Sequence, residues 1–183
     1  MVVPKIYPKT LNTLSHGGGR GLGGGQIVPH FLLMRDSRML PLSDQLWYES
    51  DQDPDKYIRK VYDYITSHVG YGFDEDLVGL NEYVQMPYET LTKGWGDCED
   101  STMLMVSMLT PKGVPCRMVL GYAAGGSHRW PEVKYEGEWY IFDTTNGDVF
   151  PLRDSEKKHY VPMFYVTPHS FRPAMSPFPL YLP

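Results

Sequence analysis

The sequence has little cysteine and no long apolar run. Its two cysteines are Cys98 and Cys116, and no stretch approaches the ~18 consecutive apolar residues of a membrane-spanning helix. Residues 1–5 lack the apolar core of a signal peptide, so we expect a cytoplasmic protein. Two cysteines could form one disulfide, but in a chain without a signal peptide free thiols are more common.

Positive charge is also scarce. The formal net charge of the 183 residues is −5, and neither half carries a block of like charge. Proteins that bind nucleic acids or anionic membranes normally have a basic face, so we expect neither partner. Five histidines do not have the spacing of zinc ligands: His16, His30, His68, His159 and His169. We therefore expect no metal and no cofactor, and the sequence does not indicate an oligomeric state.

The remaining composition fits one folded domain. An apolar fraction of 42% in a chain of this length is enough for a sizeable core. We divide the chain into a flexible Gly-rich segment at 1–30, a folded domain at 31–160, and a C-terminal tail at 161–183 that packs on the domain. The tail is rich in proline and aromatic residues, and its prolines predict neither a helix nor a central strand.

Capping residues and apolar spacing indicate two helices. The first begins at the N-cap Asp53, has Pro54 in its first turn and ends near Val69. Its apolar residues recur every three or four positions at Tyr57, Ile58, Val61, Ile65 and Val69. The second begins at the N-cap Asp97 and runs to Leu109. Because it is apolar on most of its circumference, we expect a buried central helix.

Three strands are predicted after the second helix, at 114–122, 128–135 and 138–145. The short connection at 135–138 predicts a hairpin turn, so the last two strands should be antiparallel.

This hairpin brings a histidine and a carboxylate together. In its register His128 lies opposite residue 144 or 145, within one or two positions of Asp143. A carboxylate there can accept a hydrogen bond from one imidazole nitrogen while the other nitrogen faces a thiol. A histidine at a strand start is by itself more often structural, so the pairing with Asp143 is what favours a catalytic role.

The thiol that could complete this set is Cys98, in the first turn of the second helix. Unpaired backbone N–H groups and the positive end of the helix dipole favour a thiolate there. The alternative is a buried small residue beside a capping Asp97. Cys116 lies inside an apolar strand and is expected to be an inert core thiol. Asp97, Glu99 and Asp100 could suggest a metal site, but they complement the helix dipole and no histidine accompanies them.

Several ordered motifs accompany these residues. They are Gly96-Asp97-Cys98-Glu99-Asp100, Gly113-Val114-Pro115-Cys116-Arg117, Gly121-Tyr122, His128-x-Trp130-x-Glu132-Val133 and Gly137-x-Trp139-x-x-x-Asp143-x-Thr145. This set, over about residues 57–146, resembles the transglutaminase-like superfamily. The upstream Pro87-Tyr88-Glu89-Thr90-Leu91 is similar to the bacterial transglutaminase-like cysteine proteinases in particular.

The resemblance implies an α+β, papain-like fold, in which a central helix bearing Cys98 packs on an antiparallel sheet bearing His128 and Asp143. Carried onto this chain, Cys98 is the nucleophile and His128 is the general base and acid. Asp143 orients the imidazole of His128.

The resemblance also implies an oxyanion hole and a cleft. The backbone N–H of Cys98 and the side-chain amide of Gln85 are the candidate oxyanion donors. Trp95 and Trp130 are expected to line the cleft, and the alternative for each is a core aromatic residue.

The predicted activity is hydrolysis of peptide or isopeptide amide bonds in a peptide or protein substrate, through a thioester acyl-enzyme. The segment at 31–160 would then be the catalytic domain. A transglutaminase would use the same triad, with a lysine amine in place of water. The proteinase-like upstream motif and the small size favour hydrolysis. A non-catalytic peptide-binding module on the same fold is the third alternative, and it has no chemical need for all three residues.

Overall fold

The structure is a computed structural model that describes residues 35–74, 76, 79, 83–123, 126–145, 151–153 and 159–174. Helices pack against an antiparallel sheet, which confirms the predicted α+β class. The segment 1–30, which we expect to be flexible, lies outside the described residues.

The described residues contain four α-helices: α1 (Leu40–Glu49), α2 (Pro54–His68), α3 (Pro87–Lys93) and α4 (Cys98–Leu109). The first predicted helix is α2, and its boundaries are confirmed. The Asp53 carboxylate accepts hydrogen bonds from the backbone N–H groups of Asp55 and Lys56 at 3.0 Å. No helix in the described part of the chain is both long enough and apolar enough to cross a membrane.

The second predicted helix is α4, and all 12 of its residues are buried. A capping box begins it: the Asp97 carboxylate accepts from the Glu99 N–H at 3.2 Å, and the Asp100 carboxylate accepts from the Asp97 N–H at 3.3 Å. These bonds satisfy backbone N–H groups that a helix cannot pair internally. The box therefore determines where the chain enters α4, and with it the position of Cys98.

Six strands form one antiparallel sheet in the spatial order β6-β5-β4-β3-β7-β8. Their bounds are β3 (Cys116–Ala123), β4 (Gly126–Tyr135), β5 (Glu138–Ile141), β6 (Leu152–Arg153), β7 (Tyr160–Thr167) and β8 (Ser170–Pro173). A separate parallel ladder joins β1 (Gly70–Tyr71) to β2 (Trp95–Gly96), immediately before α4.

Strands β4 and β5 form the predicted hairpin. Lys134 pairs with Trp139 and Glu132 pairs with Ile141, so the expected register is confirmed. The turn needs positive φ at Gly137, which glycine adopts without steric cost. Strand β5 ends at Ile141, not near residue 145, and its last ladder pair joins Ile141 to Glu132. Asp143 therefore follows the strand and does not belong to it.

The main hydrophobic core lies between the helices and one face of the sheet. Side chains alternate between the two faces along a strand, so Met118 and Leu120 of β3 enter this core while Val119 faces away from it. Val119, Trp130 and Ile141 form a second, smaller buried cluster. Trp130, a candidate cleft residue, therefore belongs to this second cluster.

The prediction that the C-terminal segment forms no central strand is wrong. Strand β7 pairs with β3 on one side and β8 on the other, and it crosses the boundary we placed at 160. The sheet accepts Pro162 because the ladder shifts register between Leu120 and Gly121, where Pro162 stands opposite Gly121. Such a bulge is a position where a strand tolerates a proline, which has no N–H to donate.

Candidate active site

Cys98 is the first residue of α4 and is 1% exposed. Its thiol donates to Glu99 Oε2 at 3.2 Å, and Arg129 Nη1 lies 3.9 Å from Sγ. The same Arg129 nitrogen donates to Glu99 Oε2 at 2.6 Å. Thiol, carboxylate and guanidinium therefore form one buried cluster, in which the thiol is a hydrogen-bond donor to an acid.

The expectation that the helix start favours a Cys98 thiolate is wrong for this arrangement. Burial, and then the negative charge of Glu99, raise the pKa of the Cys98 thiol well above its usual range, while Arg129 acts in the opposite direction. The helix N-terminus is already occupied by the carboxylates of Asp97 and Asp100. The resting form of Cys98 at neutral pH is therefore the thiol.

His128 lies on β4, and Asp143 follows the neighbouring strand β5. His128 Nε2 is 2.8 Å from Asp143 Oδ2, with side-chain exposures of 16% and 3%. The proximity that the hairpin register predicts is confirmed. Because Nε2 faces Asp143, Nδ1 is the ring nitrogen that a nucleophile would use for proton exchange.

Four donors surround the Asp143 carboxylate. Oδ2 accepts from His128 Nε2 and from the Tyr160 hydroxyl at 2.7 Å, and Oδ1 accepts from the N–H of Thr145 at 3.0 Å and its hydroxyl at 2.7 Å. Burial alone would raise the pKa of Asp143. The hydrogen bond and charge of His128, followed by the bonds from Tyr160 and Thr145, outweigh burial and lower the pKa to about 2. Asp143 is therefore ionised at neutral pH.

Cys98 and His128 are not hydrogen-bonded to each other in the described part of the chain. The β4 residue that reaches Cys98 is Arg129, one position after His128. Consecutive strand residues point to opposite faces, so the imidazole and the guanidinium leave β4 in opposite directions. A direct proton exchange between this thiol and this imidazole would therefore need a rearrangement of the site.

The hairpin is fastened to α4 close to Cys98. Thr144 Oγ1 donates to Ser101 Oγ at 2.9 Å, and Thr102 Oγ1 donates to the backbone carbonyl of Arg129 at 3.3 Å. Ser101 and Thr102 lie about one helical turn from Cys98. These contacts hold the strand ends that carry the imidazole and the carboxylate against the start of the helix.

The structure does not support Gln85 as an oxyanion donor. Gln85 is fully buried, and its Nε2 donates to Asp100 Oδ2 at 2.8 Å and to the Trp95 carbonyl at 3.2 Å. The two hydrogens of the amide are thus engaged inside the protein. Its backbone N–H also donates to Asp100, at 2.8 Å. Gln85 therefore positions Asp100, and through the capping box it positions the start of α4.

The two tryptophans occupy different environments. Trp95 is half-buried in β2, with the Lys93 ammonium 4.8 Å from its ring centroid, so it remains a candidate for the cleft wall. Trp130 is fully buried, which contradicts the expectation that it lines the cleft and supports the alternative of a core aromatic residue. Its ring lies 5.9 Å from the His128 ring at an interplanar angle of 24°. Trp130 therefore supports the imidazole from within the protein.

Cys116 lies in the main core, as its apolar strand predicts. Both cysteines are free, so the preference for free thiols over a disulfide is confirmed. Burial raises the pKa of Cys116 to about 12. Its thiol is therefore protonated across the physiological pH range.

Three acids crowd the start of α4. Asp97, Glu99 and Asp100 are all buried, and burial together with mutual repulsion raises the pKa of both aspartates. The ligand atoms of Asp97, Cys98 and Glu99 lie within 4.8 Å of one another. These acids therefore do more than complement the helix dipole: each raises the pKa of its neighbours, and Glu99 and Asp97 also raise the pKa of the Cys98 thiol.

Two residues of the site, Arg129 and Tyr160, were not predicted from the sequence. Arg129 could have been found from strand alternation, since it lies between His128 and Trp130 and must point to the opposite face. Tyr160 gave no such signal, because it adjoins the segment that we assigned to a tail. The pairing of β7 with β3 is what brings Tyr160 to the site.

Comparison with known proteins identifies the family. Residues 44–144, more than half of the chain, match the model of the transglutaminase-like superfamily. The chain therefore belongs to the transglutaminase-like superfamily, as its motifs indicate. No curated protein sequence matches the chain.

Solved structures with a similar fold include Legionella pneumophila LapG. Its calcium-bound form is 20% identical with a TM-score of 0.61, and the alignment covers 88% of this chain and 93% of LapG. Its EGTA-treated form is also 20% identical, with a TM-score of 0.62 and coverages of 82% and 86%. A candidate cysteine protease from Cytophaga hutchinsonii is 23% identical with a TM-score of 0.51. That alignment covers 77% of this chain but only 46% of the Cytophaga protein. These likenesses establish a shared fold.

Proposed function

We propose that this chain is a cysteine peptidase or amidase that cleaves peptide or isopeptide amide bonds through a thioester. The observation that carries the proposal is the 2.8 Å hydrogen bond between His128 and Asp143, in a hairpin that is fastened to the start of the Cys98 helix. A carboxylate that orients an imidazole, in a hairpin bonded to the helix that begins with a cysteine, supports this proposal, because a nucleophile is activated by such an oriented base.

In the first step, the proton of Cys98 Sγ moves to His128 Nδ1 while Sγ attacks the carbonyl carbon of the scissile amide. Substrate entry must first turn the thiol away from Glu99. Asp143, with a pKa of about 2, stays ionised and stabilises the imidazolium that forms. Because burial raises the pKa of the Cys98 thiol, deprotonation accompanies the attack instead of preceding it.

The tetrahedral intermediate needs a donor for its oxyanion. As the first residue of α4, Cys98 has a backbone N–H that finds no acceptor within the helix. The intermediate then breaks its C–N bond, and the amine leaves with the proton from His128. A water molecule deprotonated by His128 attacks the thioester, which releases the carboxylic acid and returns the proton to Cys98.

Trapping the acyl-enzyme tests this chemistry. The protein is mixed with a peptide thioester, and covalent adducts are identified by intact mass and peptide mapping. We expect one acyl adduct on Cys98, which Cys116→Ser leaves unchanged and Cys98→Ala abolishes. His128→Ala should slow acylation strongly. An adduct on Cys116, or acylation at an equal rate without His128, would contradict the proposal.

The fate of the acyl group separates hydrolysis from transamidation. With a lysine-containing peptide added in excess, a hydrolase releases mainly the free acid, whereas a transglutaminase transfers the acyl group to the amine. Transglutaminase activity is an alternative because the chain matches the transglutaminase-like superfamily, and the product ratio in this assay tests it directly. A protein that turns over no substrate, and that still binds peptide after Cys98→Ala, would favour the peptide-binding module.

The site also has the oxygen donors of a divalent-cation site, and one similar structure, LapG, is calcium-bound. The carboxylates of Asp97 and Glu99 are the groups that would hold the ion, and the thiol would not, because Ca²⁺ prefers oxygen ligands. The residues fit by geometry, since the ligand atoms of Asp97 and Glu99 lie within 4.8 Å of each other, and a cation there would share Glu99 with Arg129. A bound cation would supply positive charge beside Cys98, which lowers the pKa of a neighbouring thiol.

Thermal unfolding tests the cation site without reference to activity. We expect CaCl2 to raise the melting temperature relative to EGTA, by an amount that depends on Ca²⁺ concentration. Asp97→Asn should reduce this effect, whereas Asp63→Asn, at an exposed position on α2, should not. Equal stabilisation of the wild type and Asp97→Asn would exclude Asp97 as a ligand.

A further inference from the structure

Tyr160 begins β7 and lies opposite Ala123 of β3, on the far side of β3 from the β4–β5 hairpin. Its hydroxyl nevertheless donates to Asp143 Oδ2 at 2.7 Å. This is the carboxylate oxygen that also faces His128 Nε2. A residue outside the hairpin thus makes a direct contact with the His128–Asp143 pair.

The ring of Tyr160 is held in place by aromatic contacts. Its centroid lies 5.0 Å from that of Trp130, edge to face, and 6.3 Å from that of His128. Trp130 in turn lies nearly parallel to His128. The three rings therefore restrict both the direction of the Tyr160 hydroxyl and the plane of the imidazole.

The backbone brings Tyr160 to this position through Gly121. A Cβ at Gly121 would overlap the carbonyl oxygen of Val161 and lie 2.8 Å from Cη2 of Trp130. Only glycine allows β7 to lie this close to β3 at this point. Tyr160, which precedes Val161, depends on that approach.

We propose that Tyr160 is a positioning residue, which fixes the rotamer of the Asp143 carboxylate and through it the orientation of the His128 imidazole. This inference rests on the proposed function for its effect on turnover, but not for its effect on Asp143. A hydrogen bond from a neutral hydroxyl favours the ionised carboxylate, and a second donor on the same oxygen restricts its rotation. The low pKa of Asp143 agrees with such a role.

Tyr160→Phe tests the proposal, because it keeps the ring and removes the donor. We expect the pKa of Asp143, followed by carboxyl ¹³C NMR, to rise by about one unit. With a substrate that the protein turns over, we expect kcat to fall about tenfold while KM stays within about twofold. Tyr160 contacts Asp143 and not the substrate, so it should affect turnover more than binding. Tyr165→Phe removes a hydroxyl from the same strand and is the matched control, with no expected change in either quantity.

The two measurements separate this inference from the proposed function. The titration of Asp143 needs no substrate, so a protein without hydrolytic activity would defeat the proposed function while the titration still decides the role of Tyr160. An unchanged Asp143 titration in Tyr160→Phe overturns the inference, whatever happens to the melting temperature. A shift of equal size in Tyr165→Phe would also overturn it, because the effect would then not belong to this hydrogen bond.

Discussion

The Cys98 thiol donates its hydrogen bond to Glu99, the next residue along the helix, at 3.2 Å. Arg129 binds the same Glu99 oxygen at 2.6 Å, so the carboxylate accepts from the thiol and the guanidinium together. Removing one partner of a buried ion pair leaves the other charge uncompensated. Here such a removal would also change the charge next to the Cys98 thiol. The protonation of Cys98 is therefore controlled by its neighbours on α4 and β4, in addition to any base that it meets during a reaction.

Glu99→Gln should make Cys98 more reactive at neutral pH. After burial, the charge of Glu99 is the largest cause that raises the pKa of the thiol, and Arg129 lowers it, so removing the acid should lower the pKa even though burial and Asp97 still act. We expect the pH profile of iodoacetamide modification, measured in a Cys116→Ser background, to shift to lower pH. Glu132→Gln, which breaks the separate buried pair with Arg117, is the matched control. An unshifted profile would show that Glu99 does not govern the thiol.

A peptide chloromethyl ketone should label Cys98 and spare Cys116. Exposure alone would predict the reverse, because Cys116 is 9% exposed and Cys98 only 1%. The proposed chemistry favours Cys98, which has Arg129 beside it and His128 as its proposed base, whereas Cys116 lies in the core. Peptide mapping after limited labelling distinguishes the two thiols. Preferential modification of Cys116 would mean that accessibility, and not an activated site, controls reactivity.

Asp143→Asn should lower kcat by roughly 10–10³-fold, because the imidazolium loses its counter-charge and the amide favours the wrong tautomer. It should also change how stability depends on pH. The pKa of Asp143 is about 2 in the folded protein, below the usual 3.8, so its contribution is present above about pH 4. That contribution is lost as the pH falls towards 2.

Urea unfolding measures this contribution. The pKa difference corresponds to roughly 2 kcal/mol of unfolding free energy at neutral pH. We expect Asp143→Asn to be less stable than the wild type at pH 7 and the difference to shrink at pH 3 and below. A difference that stays constant with pH would assign the loss to packing and not to the carboxylate charge.

Local sequence signals predicted the parts of the fold that depend on neighbouring residues. Asp53 and Asp97 marked the starts of α2 and α4, and the turn at Gly137 set the register that brings His128 to Asp143. These features follow from capping and turn chemistry, which act over a few residues. The placement of Asp143 next to a histidine was therefore predictable.

Features that depend on distant contacts were not predictable in the same way. Pro162 argued against a central strand, yet a bulge opposite Gly121 accommodates it. Gln85 is a plausible oxyanion donor by residue type, but the buried Asp100 engages its amide. The helix dipole favours a thiolate at Cys98, but burial and the neighbouring Glu99 outweigh it and raise the pKa of the thiol. The errors at Pro162 and Gln85 arose from long-range partners that the local pattern does not contain, whereas the error at Cys98 arose from the burial of neighbours that the sequence does show.

Gly121→Ala should destabilise the protein and disconnect Tyr160 from the site. The added Cβ would overlap a backbone carbonyl of β7, at Val161, and backbone cannot rotate away as a flexible side chain can. Overpacking of this kind costs about 1–3 kcal/mol or more. Gly126→Ala is the matched control, because a Cβ at Gly126 meets nothing within 4 Å.

We therefore expect a lower melting temperature and a higher Asp143 pKa in Gly121→Ala, with neither change in Gly126→Ala. The two effects belong together, because moving β7 away from β3 withdraws the Tyr160 hydroxyl from Asp143. A Gly121→Ala variant with wild-type stability would mean that β7 does not lie against β3 as closely as described. A destabilised variant with an unchanged Asp143 titration would mean that the hydroxyl stays in place while the strand moves.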